Sequence, residues 1–266
     1  MKFFKTVIPN FFLILLLSGC AATPWLTPLK EKEFDSKVRL VTALSERYSS
    51  CDRGFQSDLA IFFNTPYGQK ALNGFLQFSQ PASYKFVATN PFGQPLFIIA
   101  GNKQDFQAII VPDKQYIAGS IRSFLLRNHL PIFFLKGRWG EWLTGRAIIK
   151  DDEITAIRED KDKRGFWVTV SRKNTTTGYT THLLFDPKHH VFLEEMLENG
   201  VGKIVAEIVY DNRSARTGCQ QPSTITISGL DYGTEIRLEL TDIRSSDTQK
   251  KYILSTPKGY YRQYMP

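Results

Sequence analysis

Apolar residues recur along this chain with two different periods, and the switch between them lays out the expected fold. Phe34, Val38, Val41, Leu44 and Tyr48 return every three or four positions with charges between them, which predicts one amphipathic helix. Thr27 and Pro28 stand ahead of it, a residue able to cap and one suited to a first helical position, so the helix is expected to open there. From Arg53 the period drops to two. Phe55, Ser57, Leu59, Ile61 and Phe63 share one strand face, and Leu72, Gly74, Leu76 and Phe78 share another. Tyr84 to Thr89 and Leu96 to Ala100 form the next pair, followed by Phe106, Ala108 and Ile110 before the turn Pro112-Asp113-Lys114. Short turns between β-rich runs predict an antiparallel meander.

The pattern breaks at Gly119. Ser120 can cap a short helix carrying Ile121, Phe124 and Leu125, which must end before Pro131. A second short helix carries Trp139, Trp142 and Leu143 between Gly137 and Gly145. Both helices are expected to cover one sheet face, and the same apolar side chains would make a ligand-facing lid. Strands then resume: Arg146 to Lys150, Glu153 to Arg158, Phe166 to Ser171, Thr180 to Phe185, and His190 to Leu197. Lys203 to Tyr210 follows across a hairpin at Asn199-Gly200, and Ser223 to Ser228, Glu235 to Thr241 and Lys251 to Ser255 complete the set. No linker or repeat divides the chain, so the reading is one mainly β domain with helices (α+β).

One turn stands out. Asn90-Pro91-Phe92-Gly93 reads as a type I turn, because proline presets φ at the second position while Asn90 and Gly93 suit the first and last. Turn chemistry does not ask for Phe92. Two readings stay open: it folds back onto its own sheet or under a loop, or it is a finger held out to lipid or an acyl chain.

Composition narrows the setting. The 266 residues are 42% hydrophobic and 13% aromatic, enough for a sizeable core. A formal charge of +8 favours anionic partners without choosing between acidic lipid and nucleic acid. The N-terminus chooses a compartment. Lys2 and Lys5 precede the apolar run Phe11 to Leu17, which is too short to span a bilayer, and Leu17-Ser18-Gly19-Cys20 resembles the bacterial lipobox. That resemblance implies cleavage after residue 19 and a lipid-modified Cys20. Residues 1–19 are then a signal peptide, 20–28 a tether and 29–266 the folded domain. Ala21 stands where an Asp typically retains a lipoprotein in the inner membrane, so the expected place is the outer membrane, facing the periplasm. Cys51 and Cys219 remain, an even pair in an oxidising space, which argues for a disulfide; two unpaired buried thiols are the alternative.

Chemistry is sparse. Nucleophile-elbow, phosphate-loop, dinucleotide and zinc-protease spacings are missing, so no catalytic residue, metal or cofactor is expected. His182, Asp186, His189 and His190 are the one cluster of possible ligands, yet Asp186-Pro187-Lys188-His189 reads as a solvated turn. Glu194 and Glu195 are adjacent on a strand and point to opposite faces. The run from Lys250 to Tyr264 mixes basic and aromatic residues. Export argues against nucleic acid there and leaves a membrane surface, or simply a last strand with a polar tail.

Lipobox, helix, meander, Thr89-Asn90-Pro91-Phe92-Gly93, a helical interruption ending Trp139-Gly140-Glu141-Trp142-Leu143-Thr144-Gly145, then more strands: this order resembles the LolA/LolB-like family. The likeness runs from Leu29 to Tyr210 in order of elements and in residue detail only at those two stretches. It implies an unclosed antiparallel half-barrel with an N-terminal helix and short lid helices over a hydrophobic cavity. LolB-like members take lipoproteins from a periplasmic carrier and insert them into the outer membrane. A protruding apolar residue in the equivalent turn takes part, and Phe92 matches its position, as Phe instead of Leu. The chain is longer than that pattern after Asp151, and the Cys51/Cys219 pair is not part of it. An envelope lipoprotein with a filled core that binds protein partners is the alternative from another class.

Overall fold

The computed structural model describes residues 23–266 apart from 52, 103, 128–138, 151–152, 172–177, 215–218, 230–232 and 247–248. Two runs of antiparallel strands make up the molecule. The first is β2 (Gly54–Thr65), β3 (Gly68–Ser79), β4 (Ser83–Thr89), β5 (Pro95–Gly101), β6 (Asp105–Ile110) and β7 (Gln115–Ser120). The second is β8 (Ile154–Asp160), β9 (Phe166–Val170), β10 (Thr180–Asp186), β11 (Val191–Glu198), β12 (Ile204–Ser214), β13 (Gln221–Ser228) and β14 (Glu235–Ser246). They join where β14 pairs with β2, Leu238 opposite Ile61 and Leu240 opposite Leu59. Two short strands finish the edges: β1 (Trp25–Pro28) beside β8, and β15 (Tyr261–Met265) parallel to β7. The order is β1-β8-β9-β10-β11-β12-β13-β14-β2-β3-β4-β5-β6-β7-β15, one sheet with two free edges. It is an unclosed half-barrel, mainly β with few helices.

The period-two pattern sets which face is which. Phe55, Ser57 and Leu59 are buried on the concave side, as are Leu76 and Phe78, with Phe86 and Ala88 of β4 beside them. Three helices cover that side: α1 (Glu31–Ser49), α2 (Ile121–Arg127) and α3 (Trp139–Thr144). Val41, Leu44 and Tyr48 of α1 pack against Ile157, Phe166, Val168, Leu183, Phe185 and Phe192, filling the concave side of β8 to β11. Glu31 and Glu33 sit in the first turn of α1, where the helix dipole favours acids. Ser120 does cap α2, its Oγ accepting the Ser123 amide at 3.1 Å.

Four expectations change. Thr27 and Pro28 do not open the helix: they lie in β1, and α1 starts at Glu31 after an uncapped Lys30. Part of the stretch read as tether is thus paired to β8. The pattern does not break at Gly119, which lies inside β7. Arg146 to Lys150 alternates like a strand, with Ala147 and Ile149 buried and Ile148 exposed, but joins no ladder among the described residues. The Ile149 amide donates to Ser45 Oγ of α1 at 2.7 Å, so the helix supplies an acceptor of the kind a neighbouring strand would offer. Lys251 to Ser255 is also not a strand. It crosses the convex side, where the amides of Lys250, Tyr252 and Leu254 donate to Ser79 Oγ, Ser83 Oγ and Gln107 Oε1 at 2.8, 3.1 and 2.7 Å. The last strand is the tail itself.

Cys51, just past the end of α1, is disulfide-bonded to Cys219 before β13, with Cα atoms 5.8 Å apart and a sequence separation of 168. The bond ties the helix to the far run of strands. Replacing both (Cys51→Ser with Cys219→Ser) is expected to lower stability by about 2–5 kcal/mol in urea unfolding. An unchanged midpoint would show that α1 docks without it.

Candidate functional site

Burial along the concave face is graded. Leu59, Leu76, Leu238 and Leu240 are buried at mid-strand, whereas Ile61, Phe63, Leu72 and Ile236, further toward one end of the same strands, are only half-buried. Phe97 of β5 joins them. Apolar side chains left half-open along one rim form a mouth, and burying them is worth about 25 cal/mol per Å2 to any apolar guest. The opposite end is shut. Trp142 of α3 is 2% exposed and its Nε1 donates to Glu195 Oε1 at 3.0 Å, beside Phe55 and Phe78. A separate depression of about 440 Å3 between β2, β3 and β14 is lined by Asp58, Ala60, Asn73, Thr89, Glu239 and Thr241. Those side chains belong to the convex face, so it is not this mouth.

The Asn90 turn stands at the rim of the mouth. Its geometry follows from its residues. Gly93 N–H donates to the Asn90 carbonyl at 2.9 Å, closing the turn, and Gly93 takes φ +77°, where a Cβ would strain the backbone. Asn90 Oδ1 accepts the amides of Phe92 at 2.9 Å and Gln94 at 3.0 Å. The ladder shifts by one residue between Ala88 and Thr89, as expected of a glycine bulge beside a turn. Every backbone N–H from Asn90 to Gln94 is therefore engaged locally, and Phe92 is left 88% exposed. It does not fold back.

The expected lid residues divide. Ile121 and Phe124 of α2 are half-buried, Phe124 with its ring 4.9 Å from that of Phe106. Trp142 is fixed in the core. The side chains of Leu125 and Trp139 lie outside the described residues, as does Cys20.

The histidine cluster does not assemble. His189 Nδ1 lies 2.6 Å from Asp186 Oδ2 in the exposed β10–β11 turn. His182 is buried on the convex face between Thr169 Oγ1 (3.1 Å) and Glu198 Oε2 (2.9 Å), under a stacked Trp25. No group of three metal-ligating side chains occurs among the described residues. Glu194 and Glu195 do face opposite ways, Glu195 to the core and Glu194 to the convex side. There Arg164 bridges Glu194 and Asp160 at 3.1 Å each, and Trp167 Nε1 donates to Asp160 at 2.8 Å. This polar knot was not foreseen, because its arginine sits in the charged run Asp160 to Arg164 that reads as a surface turn. Burial opposes ionisation of Asp160, but hydrogen bonds from Arg164 and Trp167 outweigh it and hold the carboxyl below its usual range. Burial and the Glu207 carboxylate push Glu194 up to about 7, against the pull of Arg164.

The architecture is an open half-barrel whose fold is similar to that of LolA superfamily structures. A LolA superfamily protein from Nitrosomonas europaea matches 79% of this chain and 94% of its own at 13% identity, with a TM-score of 0.50. A DUF1329 family protein from Desulfovibrio piger ATCC 29098 matches 79% of this chain and 93% of its own at 10% identity, with a TM-score of 0.56. At such identities the likeness is one of fold. No protein-family model matches the chain, and no curated protein matches its sequence.

The Glu194 position carries a pH prediction. An acid whose folded pKa lies above its unfolded value stabilises fully below the unfolded value, near 4.5, and loses that contribution as pH rises through about 7. Wild type should therefore lose stability relative to Glu194→Gln between pH 5 and pH 8, by on the order of 2–3 kcal/mol. Urea unfolding of both proteins at the two pH values measures it, and a constant difference would remove the claim.

Proposed function

We propose that this chain is an outer-membrane lipoprotein, anchored through Cys20, that binds acyl chains or lipoproteins on its concave face and passes them into the bilayer, a LolB-like role. The observation that carries this reading is the coincidence of a half-open apolar mouth with a fully presented Phe92 on the same rim. Each methylene buried in the mouth stabilises a bound chain by about 0.8 kcal/mol. A bilayer offers equal burial, so cargo leaves when the rim touches lipid. No nucleotide or catalytic residue is needed if affinity rises from a periplasmic carrier to this protein to the membrane. Ile121, Phe124, Leu125 and Trp139 are assigned to the lid over bound chains.

A second reading has its own support: α1 fills the concave face of β8 to β11, as a partner-binding envelope lipoprotein with a filled core would require. Mass spectrometry of lipid co-purifying after gentle extraction separates the two, since a filled core retains none.

Three outcomes are expected. Phe92→Ala should change stability by no more than about 0.5 kcal/mol, against about 3–5 kcal/mol for buried Phe86→Ala. Transfer of lipoprotein from a loaded carrier into vesicles should fail most completely in Phe92→Glu and least in Phe92→Leu; a Phe92→Glu variant that transfers normally, or melts far lower, would sink the finger. Cys20→Ala should leave the chain uncleaved or released from membranes. Normal processing with extraction only by detergent would show the anchor to lie elsewhere.

A further inference from the structure

The Asn90 turn has a duplicate. Asn90-Pro91-Phe92-Gly93-Gln94 joins β4 to β5, and Asn199-Gly200-Val201-Gly202-Lys203 joins β11 to β12, each reading Asn-x-apolar-Gly-x. The hydrogen bonds made by their backbone amides correspond one for one, while the Asn90 Nδ2 bond to Gln94 Oε1 at 3.0 Å has no counterpart at Lys203. The Asn199 amide donates to the Lys203 carbonyl at 2.9 Å, as Asn90 does to Gln94 at 2.9 Å. Gly202 donates to the Asn199 carbonyl at 3.0 Å, and Asn199 Oδ1 accepts the amides of Val201 at 3.1 Å and Lys203 at 3.0 Å. Gly202 takes φ +80° beside +77° at Gly93. Val201 is 87% exposed, as Phe92 is 88%.

Both turns lie at the same end of the sheet. Following the antiparallel ladders from β4 through β3, β2, β14 and β13 to β12 brings Asn199 to the rim that holds Asn90, with those four strands between the hairpins. The β2–β3 turn is on this rim too, and its Tyr67 is 94% exposed. The turns described at the other end, at 80–82, 161–165 and 187–190, carry no large exposed apolar residue. Turn chemistry explains the Asn and the Gly at each tip but not the apolar residue between them, and β-branched valine is poorly suited to a turn. Exposed lysines accompany the tips: Lys70 after Tyr67, Lys203 after Val201, and Lys114 in the β6–β7 turn, against the exposed acid Asp113.

We propose that Val201 is a second bilayer-contact finger, set across the mouth from Phe92, so that the half-barrel meets an anionic phospholipid surface at two matched points. The inference rests on the reading of Phe92 as a lipid-touching tip. Apolar tips enter the interface, and each basic residue beside them gains from anionic head groups. Because Asn199 and Asn90 already fix the tip backbones, docking orders little further chain.

The test uses the full acylated chain in vesicles of phosphatidylethanolamine and phosphatidylglycerol, to which protein-free vesicles of the same lipids are added. With Cys20 acylated and Cys51 bridged to Cys219, a single introduced cysteine (Val201→Cys, Phe92→Cys or Lys188→Cys) takes an environment-sensitive fluorophore. Nitroxide lipid is placed in one vesicle population or the other. Labels at 201 and 92 should both shift to the blue and be quenched by one population, while a label at 188 stays in water. Quenching at 92 without quenching at 201 overturns the second finger and leaves the proposed function standing; quenching at neither overturns both. Val201→Glu should lower the rate of lipoprotein transfer roughly tenfold, the factor that about 1.4 kcal/mol of lost contact gives, with an unchanged melting temperature. Wild-type transfer in that variant would also overturn the proposal.

Discussion

The ladder between β14 and β2 is the interaction on which the rest depends. It joins residues nearly two hundred positions apart in sequence, Glu235 opposite Asn64 at one end and Ser246 opposite Gly54 at the other. Without it the chain would be two separate sheets of local hairpins. With it, Leu238 and Leu240 meet Ile61 and Leu59, and the concave core becomes continuous across both halves. Its register also decides the rim. A one-residue slip would turn the inward residues of one half outward, while the other half kept its own. Long-range pairing of this kind costs more loop-closure entropy than the local hairpins on either side.

The concave face that results is filled unevenly, and the unevenness carries the functional argument. Over β8 to β11, α1 brings Val41, Leu44 and Tyr48, and the strand residues they meet, Ile157, Phe166, Val168, Leu183, Phe185 and Phe192, are buried. Over β2 to β5 and β14 the helical cover is short, α2 having seven residues and α3 six. Trp142 closes one end, and the other keeps Ile61, Phe63 and Leu72 half-exposed. A chain built only for stability would bury them. Convex packing is independent of this. Tyr252 and Leu254 cover Ala100 and Ile109, and Trp25 lies on Trp167, so the sheet is held from behind without closing its mouth.

Much of this was legible because it is local. The alternation of Phe55, Leu59 and Leu76, the helical spacing of Val41 and Leu44, and the Asn90-Pro91-Phe92-Gly93 turn each specify themselves within a few residues. Likeness to a known family added the half-barrel, which periodicity alone does not imply. What stayed hidden was long-range. Trp25 to Pro28 becomes a strand only because Asp160 and Arg158 present an edge to it. Ile149 and Leu254 alternate as strand residues do, yet their amides end on Ser45 and Gln107 side chains that no local pattern connects to them. The second finger was hidden for a different reason. The dipeptide Asn199-Gly200 is so strong a hairpin signal that it draws the eye from Gly202, which has the positive φ and places Val201 at the tip.

Position of the tether adds a last constraint. Trp25 pairs with Asp160, at the end of β8 away from Phe92 and Val201, and it stacks on His182 with ring centroids 4.5 Å apart. If Cys20 carries the anchor, it stands five residues before Trp25, a span of at most about 18 Å when extended. The 12 residues of β3 alone cover roughly 40 Å along the strand direction. While β1 stays paired, the fingers cannot stand upright in the leaflet that holds the anchor. Either the strands lie along that leaflet, bringing rim and tether down together, or the fingers meet a second lipid surface, or β1 leaves β8 and lengthens the tether. Leaving would expose Trp25 and uncover His182 and Trp167, at the cost of an aromatic burial on the order of 1.5–3 kcal/mol. That cost favours the paired state at rest, and makes the direction in which the mouth faces a consequence of one four-residue strand.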